Sequence, residues 1–249
     1  MWVVPEFRKI SICTTCMRRL YDLKETLPKN IEFNQDYPNV EFVLLDYNSD
    51  DGLDEWVKKE MMQHIESGLL VYYKTIEPKF YNMSHSRNVA FKLATGDIVN
   101  NVDADNQTNI GFAAKINEMS KPYRSGAIFA KSNRLMRGRL GFFKNDFIEI
   151  LGGYDEGMVG YGHDDRDLFL RALRMSFKFL WFGGFYVIRK GTPFKEKQAN
   201  MEIKNWKYTE RLNIKRSEEN LKASKFKANE GVHWGKATVT KNFKEIIII

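Results

Sequence analysis

In the first hundred positions, short apolar runs alternate with longer stretches of mixed polarity. Lys9-Ile10-Ser11-Ile12-Cys13-Thr14 reads as a strand, and behind it Leu20, Leu23 and Leu27 recur at helical spacing. Glu41-Phe42-Val43-Leu44-Leu45-Asp46 is an apolar run ending in polar residues, as strands covered on both faces do. A helix over about 53–65 and a strand over about 69–73 follow. The clearest helix runs over about 84–95, with Val89 and Leu93 four apart and Gly96 as its stop. A fourth strand, Ile98 to Val102, runs into Asp103-Ala104-Asp105. Strands alternating with helices in this way predict right-handed βαβ units, hence an α/β fold on one mostly parallel sheet.

Beyond Ile110 the pattern is less regular. A helix near Phe112–Met119 and a strand near Ala127–Ala130 precede a Gly-rich region from Gly138 to Gly162. A helix over about 165–175 then places Phe169, Ala172 and Leu173 on one face. Two halves are expected up to residue 192, dividing near 108, and the polar segment 193–249 reads as a helical appendage.

Charge sharpens that division. From Phe185 onward 15 Lys and Arg face 7 Glu and no Asp, a balance of +8, whereas the preceding part holds 24 against 25. A basic segment suits an anionic partner, such as an acidic membrane surface, or is simply a solvated face. No basic leader with a long apolar run opens the chain, and no stretch of 18 apolar residues occurs, so a cytoplasmic protein is expected. Cys13 and Cys16 make no disulfide framework, and one C-x-x-C cannot complete a four-cysteine zinc site.

In open α/β sheets ligands bind beyond the carboxyl ends of the strands. Thr14-Thr15, Asp46 to Asp51 and Asp103 to Asp105 all fall there and should share one crevice. Asp103 and Asp105 lie two apart at the end of an apolar strand and point the same way. Alone, such a pair is more often an exposed acidic turn. Its position here favours a hard divalent cation, Mn²⁺ or Mg²⁺, shared with phosphate oxygens. A second cluster, Gly160-Tyr161-Gly162-His163-Asp164-Asp165, sets acids at a helix N-terminus, where the dipole stabilises carboxylates. Neighbours on a helix diverge by about 100°, so Asp164 and Asp165 are expected to do different work.

Taken together, Ile10 to Arg19, Asp46 to Trp56, Ser86-Arg87-Asn88-Val89-Ala90 and Asp103-Ala104-Asp105 resemble the family-two glycosyltransferases. The segment from Gly141-Phe142-Phe143 through Gly152-Gly153-Tyr154-Asp155-Glu156 to Leu168 is similar to the C-terminal region of galactosyltransferases and chondroitin polymerases. The resemblance implies a GT-A fold and inverting transfer of a hexose or N-acetylhexosamine from a UDP-sugar to a saccharide or lipid-linked saccharide. It implies that Thr15 and Arg19 contact the nucleotide, that Asp46 reads uracil or ribose, and that Arg87 lies beside the nucleotide. Asp103 would touch ribose or metal, Asp105 would ligate the metal, and Asp165, with Asp164 beside it, would be the base. Tyr161 and His163 would line the acceptor cleft.

Three positions depart from that family's pattern. Thr14-Thr15 stands where a proline is common, and Tyr47 replaces a second aspartate, so that it is expected to pack on the base. Tyr186-Val187-Ile188-Arg189-Lys190 lacks the usual metal-binding histidine, leaving Lys190 as a counter-charge or His233 as a substitute ligand. His85 is expected to cap its helix. A nucleotidyltransferase would announce a Gly-rich phosphate loop after the first strand, and none is present. A nucleic-acid-binding role, suggested by the sequence pI of about 9.2, meets acids in the predicted crevice that would repel a phosphate backbone, so no nucleic-acid partner is expected.

Overall fold

The structure, a computed structural model, describes residues 5–131, 139–189, 191 and 194–249. The expected alternation is present: β1 (Ile10–Cys16), α1 (Leu20–Glu32), β2 (Val40–Tyr47), α2 (Leu53–Glu60), α3 (Met62–Glu66), β3 (Leu70–Thr75), α4 (Met83–Leu93) and β4 (Ile98–Asn101). β5 (Asn106–Thr108), α5 (Phe112–Ser120), β6 (Ala127–Ala130), β7 (Leu140–Phe143), α6 (Asp164–Arg174), β8 (Lys178–Trp181) and β9 (Val187–Arg189) follow. Last come α7 (Phe194–Ala199), α8 (Trp206–Lys222), β10 (Thr238–Lys241) and β11 (Glu245–Ile248). The helix expected over 53–65 breaks at Met61, which leaves helical dihedrals (φ −117°, ψ 0°).

Among the described residues the main sheet runs β11-β10-β3-β2-β1-β4-β7-β6-β8, and β5 pairs with β9 in a separate ribbon. β3, β2, β1 and β4 are parallel, so their carboxyl ends open on one edge. β7 then pairs antiparallel with β4, which ends the run of parallel strands beside the acidic turn. Side-chain alternation divides the core. Ile10, Ile12, Phe42 and Leu44 face α1, α2 and α5, whereas Cys13, Val43, Leu45 and Val99 face α4 and α6.

The basic C-terminal segment is helical only in part. Its last residues add β10, antiparallel to β3, and β11 beyond it. β-branched Thr238, Val239 and Ile246 to Ile248 favour extended backbone, and pairing with β3 completes a ladder that local polarity could not reveal. Asn82, not His85, caps α4, its side chain accepting from the His85 N–H at 3.0 Å. His85 instead joins the Tyr47 hydroxyl through Nδ1 at 2.7 Å.

Candidate active site

Arg87 is the centre of the site. It lies in the N-terminal half of α4, 1% exposed, and its guanidinium points across the carboxyl edge of the sheet. Its Nη2 donates to Asp103 Oδ1 at 3.0 Å, and its Nη1 donates to Asp165 Oδ1 at 3.2 Å and also to Asp164 Oδ2. Burial alone would lower the Arg87 pKa, but Asp165, Asp103 and Asp164 outweigh it and raise it, so the charge is locked on. Asp164 and Asp165, although successive on α6, thus meet at one guanidinium nitrogen; Arg87 sits over the helix start, between their directions. They are not as separate as helical geometry alone suggested.

Each acid has its own support. Asn101 Nδ2 donates to Asp103 Oδ1 at 2.9 Å, so a polar residue within an apolar strand orients the first acid of the pair. The Tyr154 hydroxyl donates to Asp165 Oδ1 at 3.2 Å. Tyr154 is held from α4, where Asn88 accepts its N–H at 2.8 Å and donates to its carbonyl at 2.9 Å. Gly153 adopts φ +75°, and a Cβ there would stand 2.6 Å from Asn88 Oδ1, so glycine is needed on both counts.

Thr15, Arg19, Arg87, Asp103, Asp105 and Tyr161 line one cavity, whose enclosed part measures about 80 Å³. A neighbouring cleft of about 620 Å³ shares Arg19 and Asn200 with it, giving room for a larger ligand. Six of the residues picked out by sequence therefore come together. Sequence reasoning missed Tyr81, whose hydroxyl lies 2.5 Å from Thr15 Oγ1, and Asn200, which donates to the Met17 carbonyl at 2.8 Å. Tyr81 was hidden between elements, and Asn200 lies far away in sequence.

Asp46 is elsewhere. It is 0% exposed, on the α1–α2 face of β2, accepting from the Tyr72 hydroxyl at 2.7 Å and the Ser49 N–H at 2.8 Å. Burial raises its pKa to about 6, although the Tyr72 and Ser49 bonds pull the other way. The placement turns the expected base-reading acid into a core acid that shapes the turn after β2. Tyr47 is also buried, with its ring edge-on to Tyr81, and it does not line the cavity.

His233 is exposed and is not a lining residue, because Trp234 docks on Phe147 and carries its segment toward the outer side of α4. His163 is half-buried at the start of α6 with φ +71° and does not line the cavity either. Lys190 lies outside the described residues. Cys13 and Cys16 sit in the two opposite cores, and burial pushes both thiols up, which leaves no redox pair.

Among the described residues no group of three His, Cys, Asp or Glu gathers for a metal. Asp103 and Asp105 still suit a hard cation, because two carboxylates at a cavity wall leave most coordination positions to phosphate oxygens and water. Arg189 Nε stands 3.8 Å from Asp105 Oδ2, in the strand where the family's pattern has a metal-binding histidine.

The family model for glycosyl transferase family 2 matches residues 11–135, which carry β1 to β6 and the Asp103-Ala104-Asp105 turn. The chain belongs to glycosyl transferase family 2. Its α/β fold is GT-A, shared with solved glycosyltransferases at low identity. A mannosyltransferase from Pyrobaculum calidifontis, in complex with GDP-Man and Mn²⁺, superposes with a TM-score of 0.66 at 20% identity, over 89% of this chain and 65% of that one. This chain thus spans less than two thirds of that protein. S. aureus TarS 1-349 in complex with UDP-GlcNAc gives 0.58 at 15% identity, over 86% and 73%. GalNAc-T7 with UDP, GalNAc and Mn²⁺ gives 0.58 at 14% identity, over 72% and 43%. Among curated protein sequences no significant match is found.

Proposed function

We propose that the chain is an inverting glycosyltransferase. It would move a hexose or N-acetylhexosamine from a nucleoside-diphosphate sugar to a hydroxyl of a saccharide or lipid-linked saccharide. The observation that carries this reading is Arg87, a buried cation joining the donor-side acid Asp103 to the helix-borne acids Asp164 and Asp165. Asp165 would take the proton of the acceptor hydroxyl as its oxygen forms the bond to the anomeric carbon. The bond from that carbon to the diphosphate breaks on the opposite face, releasing the nucleoside diphosphate. Arg87 binds Asp103, Asp164 and Asp165 together, and Tyr154 orients Asp165. Mn²⁺ or Mg²⁺, held by Asp103 and Asp105, would supply electrostatic stabilisation of the departing diphosphate. Thr15 and Arg19 would contact the nucleotide, with Tyr161 on the acceptor side.

With Asp46 buried, uridine preference rests on resemblance alone, so the test is a screen of UDP-, GDP- and dTDP-sugars with and without Mn²⁺. A selective ligand raises the melting point, and transfer is read as sugar attached to an oligosaccharide acceptor. No stabilisation by any nucleotide sugar, and no product, would end this reading. Asp105→Ala should remove any gain from Mn²⁺ while leaving the fold intact.

The same reading includes peripheral contact with an anionic membrane through exposed Arg211, Lys215 and Lys222 on α8. No helix among the described residues is long and apolar enough to cross a membrane. Equal flotation with neutral and acidic liposomes would remove the membrane contact.

A further inference from the structure

Exposed apolar side chains are ordinary when scattered singly, but a cluster of them calls for a partner. One cluster lies at the end of the β5–β9 ribbon. Thr108 and Val187 are register partners and fully buried, so alternation turns their neighbours Gln107 and Ile188 outward. Ile188 is 46% exposed. Beyond that pair the Asn109 N–H still donates to the Tyr186 carbonyl at 2.9 Å, and Asn109 Nδ2 donates to the Phe185 carbonyl at 3.4 Å. Ile110 and Phe185 are therefore brought to the same end of the ribbon, 65% and 64% exposed. That end is anchored. Phe182 packs edge-on to Phe112 with ring centroids 5.3 Å apart, and Lys131 Nζ donates to the Val187 carbonyl at 2.7 Å.

The charges around the cluster are of one sign. Residues 106–111 and 177–189 hold Lys178 and Arg189 and no acid. Lys131 lies along the same connection, since a Cβ on Gly184 would stand 3.7 Å from its Cε. Asp105, which faces Arg189 Nε at 3.8 Å, is only 3% exposed. Apolar side chains set among cations suit an anionic bilayer, where aromatic and aliphatic groups enter the headgroup boundary and Lys and Arg stay among the phosphates. A second copy of the chain on this patch would bring like charges together.

We propose that the end of the β5–β9 ribbon is a membrane-docking surface, with Ile110, Phe185 and Ile188 entering the interface of an anionic bilayer. It is a different surface from α8, and the contact differs in kind: insertion persists in salt that screens charge attraction. The surface does not rest on the glycosyltransferase reading. Only its use does: β9 also carries Arg189 beside Asp105 of the cavity, so docking there would hold the cavity close to a lipid-linked acceptor.

The test is flotation of the full chain with vesicles of phosphatidylcholine alone and of phosphatidylcholine with phosphatidylglycerol, at low and at high salt. The parent should float with the anionic vesicles, and part of that binding should persist at high salt. Phe185→Ser combined with Ile188→Ser leaves the charge unchanged. It should weaken binding to anionic vesicles by roughly ten-fold or more and remove the part that persists at high salt. Arg211→Gln combined with Lys215→Gln on α8 should weaken binding at low salt only. Both variants alter exposed positions, so their melting points should match the parent's. No binding by the parent, binding wholly lost at high salt, or undiminished binding by the Phe185 and Ile188 variant would overturn the surface. A parent that sediments as a dimer without vesicles, with that variant a monomer, would overturn it too, by placing a second copy on the patch. Ribbon-dependent flotation without transfer from any nucleotide sugar would sink the enzymatic reading alone.

Discussion

Replacing Asp46 with asparagine separates a core acid from a base-reading one. In the folded chain its pKa stands at about 6 against an ordinary 3.8, because burial between β2 and β3 outweighs the bonds from Tyr72 and Ser49. An acid with a raised folded-state pKa holds its proton longer when folded than when unfolded. Its favourable contribution is complete below 3.8 and is lost as pH rises through about 6. The gap corresponds to about 3 kcal/mol in full, of which about 2 kcal/mol falls between about pH 4.5 and about pH 7.5. For a chain of this size that equals roughly 4–8 °C in melting temperature. Asparagine keeps the shape, can accept from the Ser49 N–H through Oδ1, and can donate to the Tyr72 oxygen, which rotates its proton away. Thermal unfolding of parent and Asp46→Asn across that range should therefore show the variant gaining on the parent as pH rises, with nucleoside diphosphate affinity preserved. A parent–variant difference that stays constant with pH would refute the burial argument. Loss of nucleotide binding in the variant would return Asp46 to the base.

Other perturbations address the site itself. Arg87→Gln leaves Asp103, Asp164 and Asp165 without their shared cation, so urea denaturation should show a loss of about 3–5 kcal/mol; a loss below about 1 kcal/mol would mean that water already screens the cluster. Asp165→Asn should cut the turnover number by orders of magnitude with donor binding intact, whereas Asp164→Asn should mainly weaken acceptor binding; the reverse pattern would move the base to Asp164. Asn213→Ala removes the clamp on the Val159 and Gly162 backbone, and should raise the acceptor KM with nucleoside diphosphate affinity unchanged. Equal loss of both affinities would show a general loosening instead.

What could be read ahead of the structure was mostly what is local. Parallel strands covered on both faces are continuous apolar runs, and the amphipathic helices between them keep one period, so β1 to β4 were legible. The family motifs supplied Arg87, Asp103, Asp105, Asp164 and Asp165, and the topology brings these five together. The burial of Asp46 was not legible, because it depends on Tyr72, a hydroxyl from a neighbouring strand that no local pattern connects to it. His233 was drawn toward the metal only by its residue type, whereas the anchoring of Trp234 decides where that segment lies.

The basic segment best illustrates why composition is a poor guide to organisation. Its charge pattern suggested an appendage, yet its inward positions are the polar ones. Thr209, Asn213 and Ser217 recur every four residues on the buried face of α8. Thr209 exchanges hydrogen bonds with the Tyr161 backbone at 3.2 and 3.0 Å, and a Cβ on Gly160 would stand 2.6 Å from its methyl group. Arg216 forms a two-pronged pair with Asp155 at 2.7 and 2.9 Å, so this cation of the basic segment is used internally. A helix whose buried Thr209 and Asn213 bind the backbone of residues 159–162 is organised around a loop, not around a core. That loop leads directly to Asp164 and Asp165. The C-terminal quarter therefore supports the loop that leads to these acids, and Arg87 joins them to Asp103 from the N-terminal half.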